Sequence, residues 1–129
     1  MTVTPEVAQG VEEIRKVFHG HVVEVIEEAQ GGAFVIVRDV RIGEKYAPAT
    51  TWLGFLIPFQ YPRADVYPHY VDGSITRVDT RPHGSGISGR MDWQNRSALQ
   101  ISRRSNHWDS ATDTAALKAV KVLEWFAAQ

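Results

Sequence analysis

The sequence predicts an α+β domain: an N-terminal helix, a four-stranded antiparallel meander and a C-terminal helix packed on one face of the sheet. Two amphipathic stretches at the ends of the chain support this, as do the alternating or wholly apolar segments between them, which glycine and proline turns separate. A length of 129 residues with 43% hydrophobic side chains suits a single domain, residues 1–129, around one core.

The first helix opens with Thr4-Pro5, a hydroxyl cap followed by proline at the first helical position. Val7, Val11, Ile14 and Phe18 then recur at helical spacing on one face, and Gly20 ends the element. His21 to Glu28 alternates like a strand with one wet face. Gln30-Gly31-Gly32 turns the chain, and Ala33 to Ile42 returns as the antiparallel partner. Trp52 to Phe59 is nearly all apolar, as a strand covered on both sides would be, with Pro58 at its end. Pro62 and Pro68 impose extended or turn geometry around Val66, and Tyr67 to Val71 supplies the fourth strand. Asp79 to Gly89 concentrates glycine, serine and proline and predicts a surface loop, followed by a short returning strand over Ser97 to Ser102. From Ser110 to Ala128, the positions Ala116, Leu117, Val120, Leu123, Glu124 and Ala127 fall at helical spacing. Ser110 with Asp113 resembles a capping pair, and Asp109 and Asp113 place negative charge where the helix dipole favours it.

The charge balance, 14 basic against 15 acidic side chains for a net −1, supplies no bulk attraction to nucleic acid or anionic membrane. No apolar run approaches the ~20 residues a bilayer span needs, and the first residues lack the basic and apolar regions of a signal peptide. A cytoplasmic protein without membrane contact is therefore expected. The absence of cysteine excludes disulfides, thiolate metal sites and thiol catalysis. His19 and His21 lack a third ligand at metal-site spacing, and Gly84 to Gly89 lacks the lysine of a phosphate-binding loop. Neither metal nor other cofactor is expected.

Three segments in order carry a resemblance: FQYPRADVYP (59–68), QISRRSN (100–106) and, after Trp108, DTAALKAVKVLEW (113–125). Together they resemble ubiquitin-conjugating (UBC) domains over about residues 5–127. More narrowly, they are similar to prokaryotic UBC-like proteins encoded beside ubiquitin-like proteins, ThiF-type activating enzymes and peptidases. The resemblance implies a UBC-like fold, a ubiquitin-like protein and a ThiF-like activating enzyme as partners, and Tyr61, Pro62 and Trp108 on a binding surface. It does not carry over the family's thioester step, because no cysteine and no His-Pro-Asn motif exists anywhere in the chain.

The richest polar cluster is Ser102 to His107, just before Trp108 and near the family's active-site neighbourhood. In one reading, Ser102 or Ser105 accepts the modifier's C-terminal carboxyl as an oxyester, with His107 as general base. Asn106 then donates to the tetrahedral oxyanion, a contribution of about 3 kcal/mol, while Arg103 and Arg104 steer the extended tail. In the plainer reading, the serines and asparagine satisfy backbone groups in an irregular turn, the arginines make surface ion pairs and Trp108 packs. Thr76, and Ser85 or Ser88 in the glycine-rich loop, are further hydroxyl candidates. Three functions follow: a thiol-free conjugating component, an inactive UBC-like scaffold binding the same partners, and, disfavoured by the charge balance, a nucleic-acid-binding domain using Arg77, Arg81, Arg90, Arg96, Arg103 and Arg104 with Trp93.

Overall fold

A computed structural model describes residues 3–129. Helix α1 spans Pro5–Val17, and Thr4 caps it as its sequence predicts, accepting the Val7 backbone N–H at 3.1 Å. The strands are β1 (Val23–Glu27), β2 (Ala33–Arg41), β3 (Tyr46–Ala47), β4 (Thr50–Ile57), β5 (His69–Asp72), β6 (Thr76–Arg77), β7 (Ile87–Trp93) and β8 (Arg96–Ile101). Helix α2 spans Ala115–Ala127.

The α+β class and the two terminal helices are as expected, but the four-stranded meander is too small. The main sheet has six antiparallel strands in the order β1-β2-β4-β5-β8-β7, and β3 pairs with β6 in a separate two-stranded ribbon. The additional strand β7 begins within the glycine-rich stretch expected to be a loop. It forms a hairpin with β8 through Gln94 and Asn95, whose φ values of 48° and 63° give the left-handed turn a two-residue hairpin requires. No glycine marks that turn, so its usual sequence signal is missing.

Both helices cover the same face of the sheet. Val7, Val11 and Ile14 from α1 join Ala119, Val122 and Phe126 from α2 in one buried cluster. Beneath them lie alternate strand positions: Val35 and Val37 of β2, Leu53, Phe55 and Ile57 of β4, Val71 of β5, and Leu99 and Ile101 of β8. The buried face of α2 is rotated from the expected one. Ala115, Ala116, Lys118, Ala119, Val122 and Phe126 are buried, whereas Leu117 is 50% exposed and Glu124 faces solvent. The cap also lies later than Ser110: the Thr114 hydroxyl accepts the Leu117 N–H at 3.1 Å. Asp109 and Asp113 instead close a turn, with the Asp109 N–H donating to Asp113 Oδ2 at 2.8 Å.

On the opposite face, Trp93 stacks on Tyr70 at 4.7 Å and on Trp52 at 5.9 Å between ring centroids, over the bare backbone of Gly54. A Cβ at Gly54 would run into the Trp93 ring. Gly54→Ala is expected to destabilise the protein by about 1–3 kcal/mol, because the stack must shift to admit the methyl group. An unchanged urea midpoint and m-value would refute this placement of Trp93.

Candidate active site

The segment after β4 is anchored between the two helices. Gly10 has no side chain, so the Tyr61 ring passes close to α1; a Cβ there would lie 3.0 Å from the ring. The Tyr61 hydroxyl accepts the Ala115 N–H at 3.0 Å, at the start of α2, and burial raises the phenol above its ordinary pKa. The Trp108 indole N–H donates to the Pro62 carbonyl at 2.7 Å. Tyr61, Pro62 and Trp108 thus brace the segments on either side of a cleft, through bonds internal to the chain.

Ser105 and Lys118 line that cleft, and Asp65 meets both of them behind its wall. Lys118 Nζ lies 2.9 and 3.1 Å from the two Asp65 carboxylate oxygens and donates to Ser105 Oγ at 2.7 Å. The Ser105 backbone N–H donates to Asp65 Oδ2 at 2.7 Å, and its hydroxyl lies 3.1 Å from Asp65 Oδ1. Since the ammonium is a donor only, the hydroxyl proton is free to point at Asp65 Oδ1. The Lys118 and Asp65 side chains are only 7% and 16% exposed. Burial alone would raise the Asp65 carboxyl, but the Ser105 N–H and the Lys118 ammonium outweigh it and hold the group below the usual carboxylate range. Asp65 therefore sits as a carboxylate against the Lys118 ammonium, with the serine hydroxyl in contact with both.

His69 lies fully buried nearby, its ring 5.0 Å from that of Phe55, and neither ring nitrogen has a hydrogen-bond partner among the described residues. Burial, aided by the Lys118 charge and opposed by Asp65, pushes its pKa down to about 3, so it is neutral at physiological pH.

The cleft above this network encloses about 280 Å³. Asn106 and His107 are exposed along its wall, and neither makes a hydrogen bond to Ser102 or Ser105 among the described residues. Arg103 stacks over Trp125 at 4.7 Å and Arg104 over Tyr67 at 4.8 Å, so both guanidiniums are held by aromatic faces at the rim. Lys121 adds a further cation to the lining, against the single acid Asp113. Ser102 is engaged elsewhere: it accepts from Gln100 Nε2 at 3.1 Å, and its N–H donates to the Gly86 carbonyl at 2.8 Å. Thr76 sits on β6, its hydroxyl 3.5 Å from the Ala47 carbonyl, while Ser85 and Ser88 are exposed and outside the cleft lining.

Of the predicted cluster, Ser105, Asn106, His107, Arg103 and Arg104 share this cleft. The sequence reading missed Asp65 and Lys118. Asp65 lies within the FQYPRADVYP segment, 40 positions before Ser105, and local spacing cannot report such a pairing. Lys118 carried a usable signal: a lysine on the helix face shared by Ala115, Ala119 and Val122 needs a buried partner. The arginines considered for nucleic acid are dispersed: Arg77 is paired with Asp79, Arg90 donates to the Gly73 carbonyl and Arg96 caps Trp52.

Among the described residues, no helix is long and apolar enough to cross a membrane. No curated protein and no solved structure matches the chain. A family model described as Prokaryotic E2 family E matches residues 15–128, nearly the whole length, and the chain therefore belongs to this ubiquitin-conjugating-like family, without a cysteine of its own.

Proposed function

We propose that this protein is a thiol-free component of a ubiquitin-like conjugation pathway and that Ser105 accepts the C-terminal acyl group of a ubiquitin-like protein. Family membership supports the pathway and the general partner classes, ubiquitin-like proteins and activating enzymes. The observation that carries the acceptor is the Ser105 hydroxyl, held 2.7 Å from Lys118 Nζ and 3.1 Å from Asp65 Oδ1 at the base of a cation-rimmed cleft. In the transfer, Ser105 Oγ forms a bond to the carbonyl carbon of the activated C-terminus, the bond from that carbon to its activating group breaks, and the hydroxyl proton passes to Asp65. Lys118 holds the oxygen and offsets the charge that grows on it. Arg103 and Arg104 frame the entry for the extended tail, with Asn106 and His107 along its path.

An inactive scaffold is the second reading, and one observation favours it: the three groups satisfy one another so completely that they also form a structural clamp. Intact-mass spectrometry with the cognate ubiquitin-like protein, its activating enzyme and ATP separates the two. The expected result is an adduct of the modifier less water, removed by hydroxylamine and absent in Ser105→Ala, while Ser102→Ala and Thr76→Ala retain it. A stoichiometric complex that never gains mass, with an activator shown to adenylate its modifier, would establish the scaffold.

A further inference from the structure

We propose that Lys121 is an internal acceptor, taking the acyl group from Ser105 as a stable amide and so closing the cleft to further turnover; this rests on Ser105 being the acyl carrier. Two lysines of α2 reach the cleft, and their surroundings differ. Lys118 is buried, and its three ammonium protons match three acceptors: the two Asp65 oxygens and Ser105 Oγ. With its ammonium engaged in all three directions by Asp65 and Ser105, Lys118 is tied into the pair and is not free to swing onto an ester carbonyl. Lys121 lies three residues further along the same helix, about 5–6 Å away at Cβ. It is exposed and has neither an ion pair nor a hydrogen bond among the described residues. Its flexible stem lets the amine sweep the cleft in which an ester on Ser105 would sit.

The chemistry balances without another reactant. The unprotonated Lys121 amine attacks the ester carbonyl, the new carbon–nitrogen bond forms, the carbon–oxygen bond to Ser105 breaks, and the amine proton returns to Ser105 Oγ. An ester exchanged for an amide runs downhill and is not reversed by hydroxylamine. The free Ser105 hydroxyl is regenerated, but the modifier then stays tethered to α2 across the cleft mouth.

The test charges the full chain with the ubiquitin-like protein, its activating enzyme and ATP, stops charging by removing ATP, and follows intact mass with and without hydroxylamine. Peptide mapping locates the adduct. The expected course is a hydroxylamine-labile adduct on Ser105 that converts to a resistant one on Lys121. In Lys121→Arg, which keeps the charge, the labile adduct should survive at least tenfold longer with no resistant product at position 121. A Ser105 ester that decays only by hydrolysis, or at the same rate in Lys121→Arg, overturns the internal acceptor and leaves the Ser105 reading standing. A resistant adduct on Lys121 in Ser105→Ala also overturns it, since the amine would then be charged directly. Failure to form any labile adduct removes the Ser105 reading and this inference together.

Discussion

Lys118→Met is expected to destabilise the protein by about 3–5 kcal/mol, because it leaves the Asp65 carboxylate largely buried without its cation. In a chain of this size that corresponds to a fall in Tm of roughly 10–20 °C. Methionine nearly matches the lysine stem in volume, so the effect reports the lost charge more than a cavity. The paired variant Lys118→Met with Asp65→Leu removes both charges and should recover most of the loss, the residue being the Ser105 groups left without partners. Melting curves of the wild type, both single variants and the double variant complete the cycle. If Lys118→Met melts within about 1 kcal/mol of the wild type, the amine does not sit in the buried pair.

The second large effect is acid sensitivity set by His69. In the unfolded chain this imidazole takes up a proton below about pH 6.5, whereas in the folded protein it does so only near pH 3. Between those limits the unfolded state binds the extra proton, so stability falls as the pH is lowered, by up to about 1.4 kcal/mol per unit. Asp65 acts in a lower window. Its folded pKa is depressed, so its contribution is fully present above about pH 3.9 and is lost only as the pH drops toward its folded value. His69→Leu should therefore flatten the pH dependence of Tm between about pH 6.5 and 4. It should also raise stability at pH 7 by about 1–3 kcal/mol, since two buried nitrogens without partners are removed. Parallel slopes for wild type and variant would show that the imidazole is not buried in its neutral form.

The parts of the fold that were legible in the sequence are those whose signals are local. Thr4, Pro5 and the Val7-Val11-Ile14 spacing define α1 almost to the residue, and the β1–β2 hairpin follows from alternation on either side of Gly31 and Gly32. Strand β7 was hidden by a glycine-rich start and by the turn at Gln94 and Asn95, where left-handed backbone is adopted without the glycine that normally announces it. The α2 face was misassigned because apolar periodicity counts lysine as outward, while here an ion pair lets Lys118 point in and turns Leu117 out. The candidate site divides along the same line. Ser105, with Asn106, His107, Arg103 and Arg104, lies on one short stretch rich in polar groups, whereas the carboxylate and ammonium that give Ser105 its setting come from 40 residues before it and 13 after it.

The docking of α2 therefore governs more than packing. Asp65 follows the turn after β4, Ser105 follows β8 and Lys118 belongs to the helix, so the three meet only when the C-terminal segment is seated. If the helix lifts as a unit, the cleft loses Lys121, part of its wall and, in Lys118, the group bridging its two loops at once, while the six-stranded sheet keeps its own backbone pairing. With Ser105 as the proposed acceptor, its acylation and amide exchange along Ala115–Ala127 would be two readouts of the same opening equilibrium, and a partner that grips α2 would tune the serine without touching it.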